Sequence, residues 1–191
     1  MKIERSQVTK LVITGAPALD PITVFAEDIG PRQGKIVIEC YGRSWSAYWG
    51  GMGDQTIIEF FCSCDVGYIA NKMTDERPSI TDAEAIADGA RRQIIKLRRG
   101  QVMRRFDGSG TYRFGRDEIR SEAARELWEE VDGAYFGADG WGASDLMQRI
   151  FGDEWWYSLP DKPNPNYEYL CRIIRAVQAA LEETMKEPTN G

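Results

Sequence analysis

Short runs of β-branched and aromatic residues crowd into the first fifty positions, and their spacing restricts the fold more than any other feature of the chain. Residues 10–14 (KLVIT), 22–28 (ITVFAED) and 35–40 (KIVIEC) are bounded by Gly15-Ala16-Pro17, by Gly30-Pro31 and by Gly42. Runs of this length between Gly and Pro read as strands. Their spacing of roughly a dozen residues leaves no room for a crossover helix, so it predicts antiparallel neighbours. A fourth strand over residues 43–49 ends at Gly50-Gly51-Met52-Gly53. Period-two alternation puts Trp45 and Trp49 on one face, with Tyr41 expected beside them.

From position 56 onward the period changes from two to 3.6. Thr56 followed by Glu59 forms a capping box, and the helix over residues 57–64 buries Ile57, Phe60, Phe61 and Cys64. One or two further turns follow over residues 65–73, and Pro78 interrupts. Thr81 and Glu84 form a second capping box. Beyond it Ala83, Ile86, Ala90, Ile94 and Leu97 make one apolar stripe on a helix ending at Gly100. Residues 107–110 (DGSG) read as a loop. Residues 116–131 read as another helix, with Ile119, Ala123, Leu127 and Val131 on one side. The glycine-rich stretch 133–142 reads as a mobile connection. Ser144 is expected to cap a short helix through Phe151. Asn164 caps the last helix, with Pro165 at its first position and a seam of Tyr167, Leu170, Ile174, Val177 and Leu181. The tail beyond Lys186 is expected to fray.

The expected fold is therefore α+β, an N-terminal antiparallel sheet of three or four strands packed against four or five helices. Residues 1–73 hold the sheet and the first helices. Residues 74–191 hold a helical part packed on it, and together they are expected to make one compact domain. No apolar run reaches the roughly 18 residues of a membrane helix. The charged start carries no apolar signal segment, so secretion is not expected.

Composition narrows the chemistry. The chain has 191 residues and no histidine. That removes the usual general base near neutral pH, the Ser-His and Cys-His nucleophile pairs and the commonest zinc ligand. No phosphate-cradling Gly-x-x-x-x-Gly-Lys and no dinucleotide-binding glycine motif occurs. Asp28 and Glu39 on neighbouring strands come nearest to a metal-nuclease pair. Tyr41 stands where such a site needs a lysine, so solvated strand-end carboxylates are expected. Catalysis by carboxylates alone, as in glycosidases, is the class that composition leaves open. Cys62 and Cys64 are two apart, whereas structural zinc favours wider spacing and a second pair, so small buried hydrophobes are expected. Cys40 and Cys171 read as reduced thiols. The sequence thus points to a protein that is not an enzyme and needs no cofactor or metal.

Charge and aromatic residues supply the candidate surface. Net charge is −6, yet residues 89–106 carry seven cations and no acid: Arg91, Arg92, Lys96, Arg98, Arg99, Arg104 and Arg105. The rest of the chain holds 17 basic against 30 acidic residues, net −13. Such a segment fits a patch for phosphate or for an acidic protein surface. It also fits a solvated helix face whose last-turn arginines complement the helix dipole. Six tryptophans are many for this length. Tyr41, Trp45, Tyr48, Trp49, Trp155, Trp156 and Tyr157 belong to the core or to an interface. Trp155 and Trp156 cannot both point inward if that stretch is extended. The expected partner-binding residues are the seven cations together with Trp155 and Trp156.

Residues 34–53 (GKIVIECYGRSWSAYWGGMG), 59–70 (EFFCSCDVGYIA) and 150–181 (IFGDEWWYSLPDKPNPNYEYLCRIIRAVQAAL) resemble a family of accessory proteins of temperate bacteriophages and prophages. They cover about a third of the chain, and residues 74–140 carry no resemblance to a known family. The resemblance implies action in the cytoplasm of the bacterial host. By association it implies a stoichiometric binder that inhibits or redirects a host protein or ribonucleoprotein complex, as anti-CRISPR proteins do. A nucleic-acid-binding accessory factor of phage replication or recombination, using residues 91–105, is the alternative.

Overall fold

The computed structural model describes residues 2–3, 5–100, 119–137 and 140–186. Arg104, Arg105, the 107–110 loop, the first residues of the helix expected from 116 and the tail beyond Lys186 lie outside the described residues.

Tight turns fold the N-terminal segment into an antiparallel meander. Strands β1 (Thr9–Ile13), β2 (Ile22–Gly30), β3 (Gln33–Cys40) and β4 (Arg43–Trp49) lie in the order β1-β2-β3-β4. Cys40 pairs with Arg43, which leaves Tyr41-Gly42 as a two-residue hairpin loop. Both loop residues have positive φ, 49° and 72°, as a turn matching the twist of the flanking strands requires. Tyr41 is therefore not on the face with Trp45 and Trp49. The turn ends the alternation, and Tyr41 is 79% exposed.

Register places Val24 opposite Ile38 and Ile38 opposite Trp45, with Ala26, Ile36 and Ala47 in the adjacent row. All of these face one core. Helices α1 (Ile57–Ser63) and α2 (Val66–Met73) pack on that face. The expected capping box at Thr56 and Glu59 is present. Ile57 and Phe61 are buried there, whereas Phe60 and Cys64 are only half-buried. The Ile57 N–H also donates to Asp28 Oδ1 at 2.7 Å. Asp28 thus anchors a helix start, and β2–β3 pairing sets it opposite Gly34, five rungs from Glu39. A Cβ on Gly34 would lie 2.7 Å from the Ile57 Cβ, so glycine lets α1 approach the sheet.

The chain divides into two compact units, one of Met1–Pro78 with Pro163–Gly191 and one of Ser79–Lys162. The expected division after residue 73 assigned α6 (Pro165–Lys186) to the helical part; α6 instead belongs with the sheet. Its stripe of Leu170, Ile173, Ile174, Val177 and Leu181 is completely or almost completely buried in the same core as the strands. Asn164 begins it. Its Oδ1 accepts from the Asn166 N–H, its Nδ2 donates to Glu76 and to the Arg77 carbonyl, and its own N–H donates to the Pro78 carbonyl. Every polar group of this 2% exposed side chain is thereby satisfied.

The second unit is helical. It contains α3 (Ala83–Arg98), α4 (Ser121–Gly133) and α5 (Ser144–Phe151), a 3-10 turn at Trp155–Ser158, and the ladder of β5 (Ser79–Thr81) with β6 (Asp161–Pro163) at its two ends. The described residues thus contain six α-helices in all, one more than the upper expectation. The cap of α3 is Asp82 rather than Thr81, with Asp82 Oδ1 accepting from the Ala85 N–H at 3.2 Å. Thr81 is held in β5 and cannot turn to cap. Ser144 is likewise the first residue of α5, and Ala143 precedes it with no side-chain cap. Ile86, Ala90, Ile94, Leu127, Val131, Phe136, Leu146, Met147, Ile150 and Trp155 form this unit's core.

Candidate functional site

Helix α3 buries Ile86, Ala90, Ile94 and Leu97, which leaves its cations on the other faces. Arg92, Lys96 and Arg99 are exposed there. Arg91 is not available in the same way. Its Nη1 donates to Asp88 Oδ1 at 2.8 Å, its Nε and Nη2 donate to Asp132 Oδ1 at 3.1 and 2.8 Å, and the guanidinium sits 5.9 Å from the Trp128 ring centre. The bond to Asp132 is the main reason its pKa is raised further. Arg98 and Arg99 border a cleft floored by Ile94, Ile95, Ala124 and Trp128, with Arg125 and Glu129 on the α4 side. The run that lacks acids along the chain therefore meets acids in space, because α4 contributes Glu129 and Asp132. Arg104 and Arg105 fall outside the described residues.

Four aromatic residues of this unit converge instead. Glu154 takes a left-handed conformation (φ 67°) and starts the 3-10 turn of Trp155, Trp156 and Tyr157. A turn, unlike an extended strand, gives three consecutive side chains three directions. Trp155 is 7% exposed and reaches the core, Trp156 is 38% exposed and Tyr157 is 78% exposed. Trp141 lies over them, 49% exposed, with its ring centre 5.1 Å from Trp155 and 5.7 Å from Trp156, nearly parallel to the latter at 26°. Trp156 meets Trp155 edge-on at 6.0 Å and Tyr157 at 5.8 Å.

The glycine-rich stretch read as a connection holds Trp141 in this cluster. Phe136 is buried, and the Gly142 N–H donates to the Phe136 carbonyl at 2.9 Å. A Cβ on Gly142 would come within 2.3 Å of the Tyr135 carbonyl oxygen, so the close approach requires glycine. Trp141 was missed in the sequence because it sits among glycines. A lone tryptophan inside such a stretch was the available signal.

Several further polar contacts hold the fold together. Arg149 grips Glu130 through both oxygens at 2.6 and 2.9 Å, a bond that holds the Glu130 carboxyl below its usual range. Gln178 Nε2 donates to the Phe61 and Cys64 carbonyls, and Cys62 lies against the Gln178 carbonyl. All four cysteines are unbridged. Among the described residues no three His, Cys, Asp or Glu side chains gather as a metal site, and no helix is long and apolar enough to cross a membrane.

Over residues 1–183 the chain matches the phage family Phage_phiTE_072, and it belongs to that family. No curated protein and no solved structure matches it.

Proposed function

We propose that this phage protein is a non-catalytic binder that engages a host protein complex from within the bacterial cytoplasm. The observation that carries this reading is the tier of Trp141, Trp156 and Tyr157 held at the surface over a buried Trp155. Large exposed aromatic patches are costly in water, and rigid indoles anchor protein interfaces. The acidic body favours partners with cationic surfaces, which include the nucleic-acid channels of defence complexes such as CRISPR effectors. Inhibition of such a complex is the finer form of the proposal. The wild-type protein should retain a specific host assembly on an affinity column, and Trp141→Ser/Trp156→Ser should release it. Equal retention by both, or no assembly above background, would reject the reading.

A second reading rests on Arg92, Lys96 and Arg99, which stay exposed on α3 and could contact nucleic acid in phage replication or recombination. Glu129 and Asp132 of α4 oppose it. It requires retention of an oligonucleotide that falls steeply as salt rises. It also requires that retention to vanish in Arg98→Glu/Arg99→Glu while the protein stays folded. A flat salt response eliminates it.

A further inference from the structure

A cavity of about 490 Å³ within the helical unit shares Trp155 with the tryptophan cluster. Ile86, Met147, Phe151, Trp155 and Leu159 give it an apolar lining, and Gly89 of α3 forms part of one wall. Its rim holds Arg92 on the α3 side and Asp153 and Glu154 on the other. The volume is in the range of ligand pockets, and the lining combines apolar side chains with three charged ones.

Gly89 is the informative residue. It lies in the interior of a 16-residue helix with no positive φ, where glycine is less stable than alanine. Elsewhere in this chain a glycine is required by close packing, as at Gly34 and Gly142. At Gly89 a Cβ would meet only the Phe151 Cζ, at 4.0 Å. The fold therefore does not need glycine at this position, and what its missing side chain provides is open space in the cavity wall.

We infer that this cavity receives a branched aliphatic side chain of a protein partner, flanked on the partner by a lysine or arginine that faces Asp153 and Glu154. The apolar lining selects the first feature. Charge selects the second, because the rim carries two adjacent carboxylates against one guanidinium. Gln148 Nε2 donates to Asp153 Oδ1 at 2.9 Å and holds that carboxylate in place. The inference rests on the binding reading and names the chemistry its partner presents. Trp155 joins the two features, since it lines the cavity and also contacts both Trp141 and Trp156.

The test is titration of the full chain with capped dipeptides, followed by NMR of the Met147 methyl and the Trp155 indole N–H. It needs no host partner, so its outcome is separable from that of the column experiment. Acetyl-Leu-Arg-amide should give saturable shifts at both probes. Acetyl-Ala-Arg-amide should bind more than about tenfold more weakly, from the lost aliphatic burial. Acetyl-Leu-Glu-amide should bind about two- to fivefold more weakly, as expected of a solvent-accessible ion pair. Gly89→Leu, which fills the space, should abolish the shifts with the far-UV spectrum unchanged. If Gly89→Leu does not fold, Asp153→Asn/Glu154→Gln should still erase the preference for arginine over glutamate. Absence of saturation in the wild type, equal response to all three dipeptides, or unaltered binding by folded Gly89→Leu overturns the inference.

Discussion

In the sheet unit Trp45 and Trp49 are core residues; in the helical unit Trp141 and Trp156 stack at the surface. Trp49 packs edge-on against Phe60 and Phe61, and its indole N–H donates to the Tyr68 hydroxyl at 3.1 Å. Trp156 lies on Trp141 and remains 38% exposed. The difference follows from backbone period. Strand β4 sends every second side chain to the same core, so two tryptophans four residues apart share one fate. The 3-10 turn sends three successive aromatics in separate directions, and only Trp155 reaches the interior. In β4 the alternation buries both tryptophans, whereas the 3-10 turn leaves two of its three aromatics exposed.

Substitutions should separate the two roles. The largest effect is expected for Phe61→Ala in the sheet unit, where the ring is completely buried. Loss of about 3–5 kcal/mol should appear in denaturant unfolding with little change to the indole cluster signal. Gly142→Ala strikes the other unit. The new methyl collides with the Tyr135 carbonyl, which should cost roughly 1–3 kcal/mol and collapse the near-ultraviolet circular dichroism of the stacked tryptophans.

Alkaline pH sharpens the contrast from the sheet side. The Cys40 contact at 3.4 Å, together with burial, pushes the Tyr169 hydroxyl up to about 12, and burial pushes the Cys62 thiol up to about 11. In the unfolded chain these groups titrate near 10 and 9. Their contribution is therefore complete below pH 9, and it fades as pH rises toward the folded values, because the unfolded chain releases its protons first. Thermal melts should fall between about pH 9 and 12, and Tyr169→Phe should flatten the upper part of that fall.

Smaller effects test the helix α3. Asp82→Ala should lower the melting temperature by about 2–4 °C, whereas Thr81→Ala should shift it less, since Asp82 holds the cap. Gly89→Ala should do the opposite of Gly142→Ala and stabilise by about 0.5–1 kcal/mol. A destabilised Gly89→Ala would mean that glycine is a packing requirement there as well.

Much of the sheet was legible because its signals are local. Gly30-Pro31 and Gly42 mark the turns, and β-branched alternation marks the buried face, so the strand limits agree to within two residues. The Thr56–Glu59 box and Asn164-Pro165 are local too, and both caps form. Tyr41 and Thr81 were misplaced where a neighbouring element took precedence over the local pattern, a hairpin turn in the first case and the β5–β6 ladder in the second. The candidate surface was half legible. Trp156 and the cations of α3 were visible in the sequence, but the compensation of Arg91 was not.

The chain's own pattern determined an antiparallel sheet, an apolar seam on each long helix, and a chemistry without imidazole. These follow from periodicity and composition, which act over a few residues at a time. Only the tertiary structure decided that α6 joins the sheet, that Asp132 meets Arg91 across 41 positions, that Trp141 stacks on Trp156, and that a cavity opens beside Gly89. Those outcomes depend on which buried faces find each other, and contacts between residues distant in sequence leave no periodic trace along it.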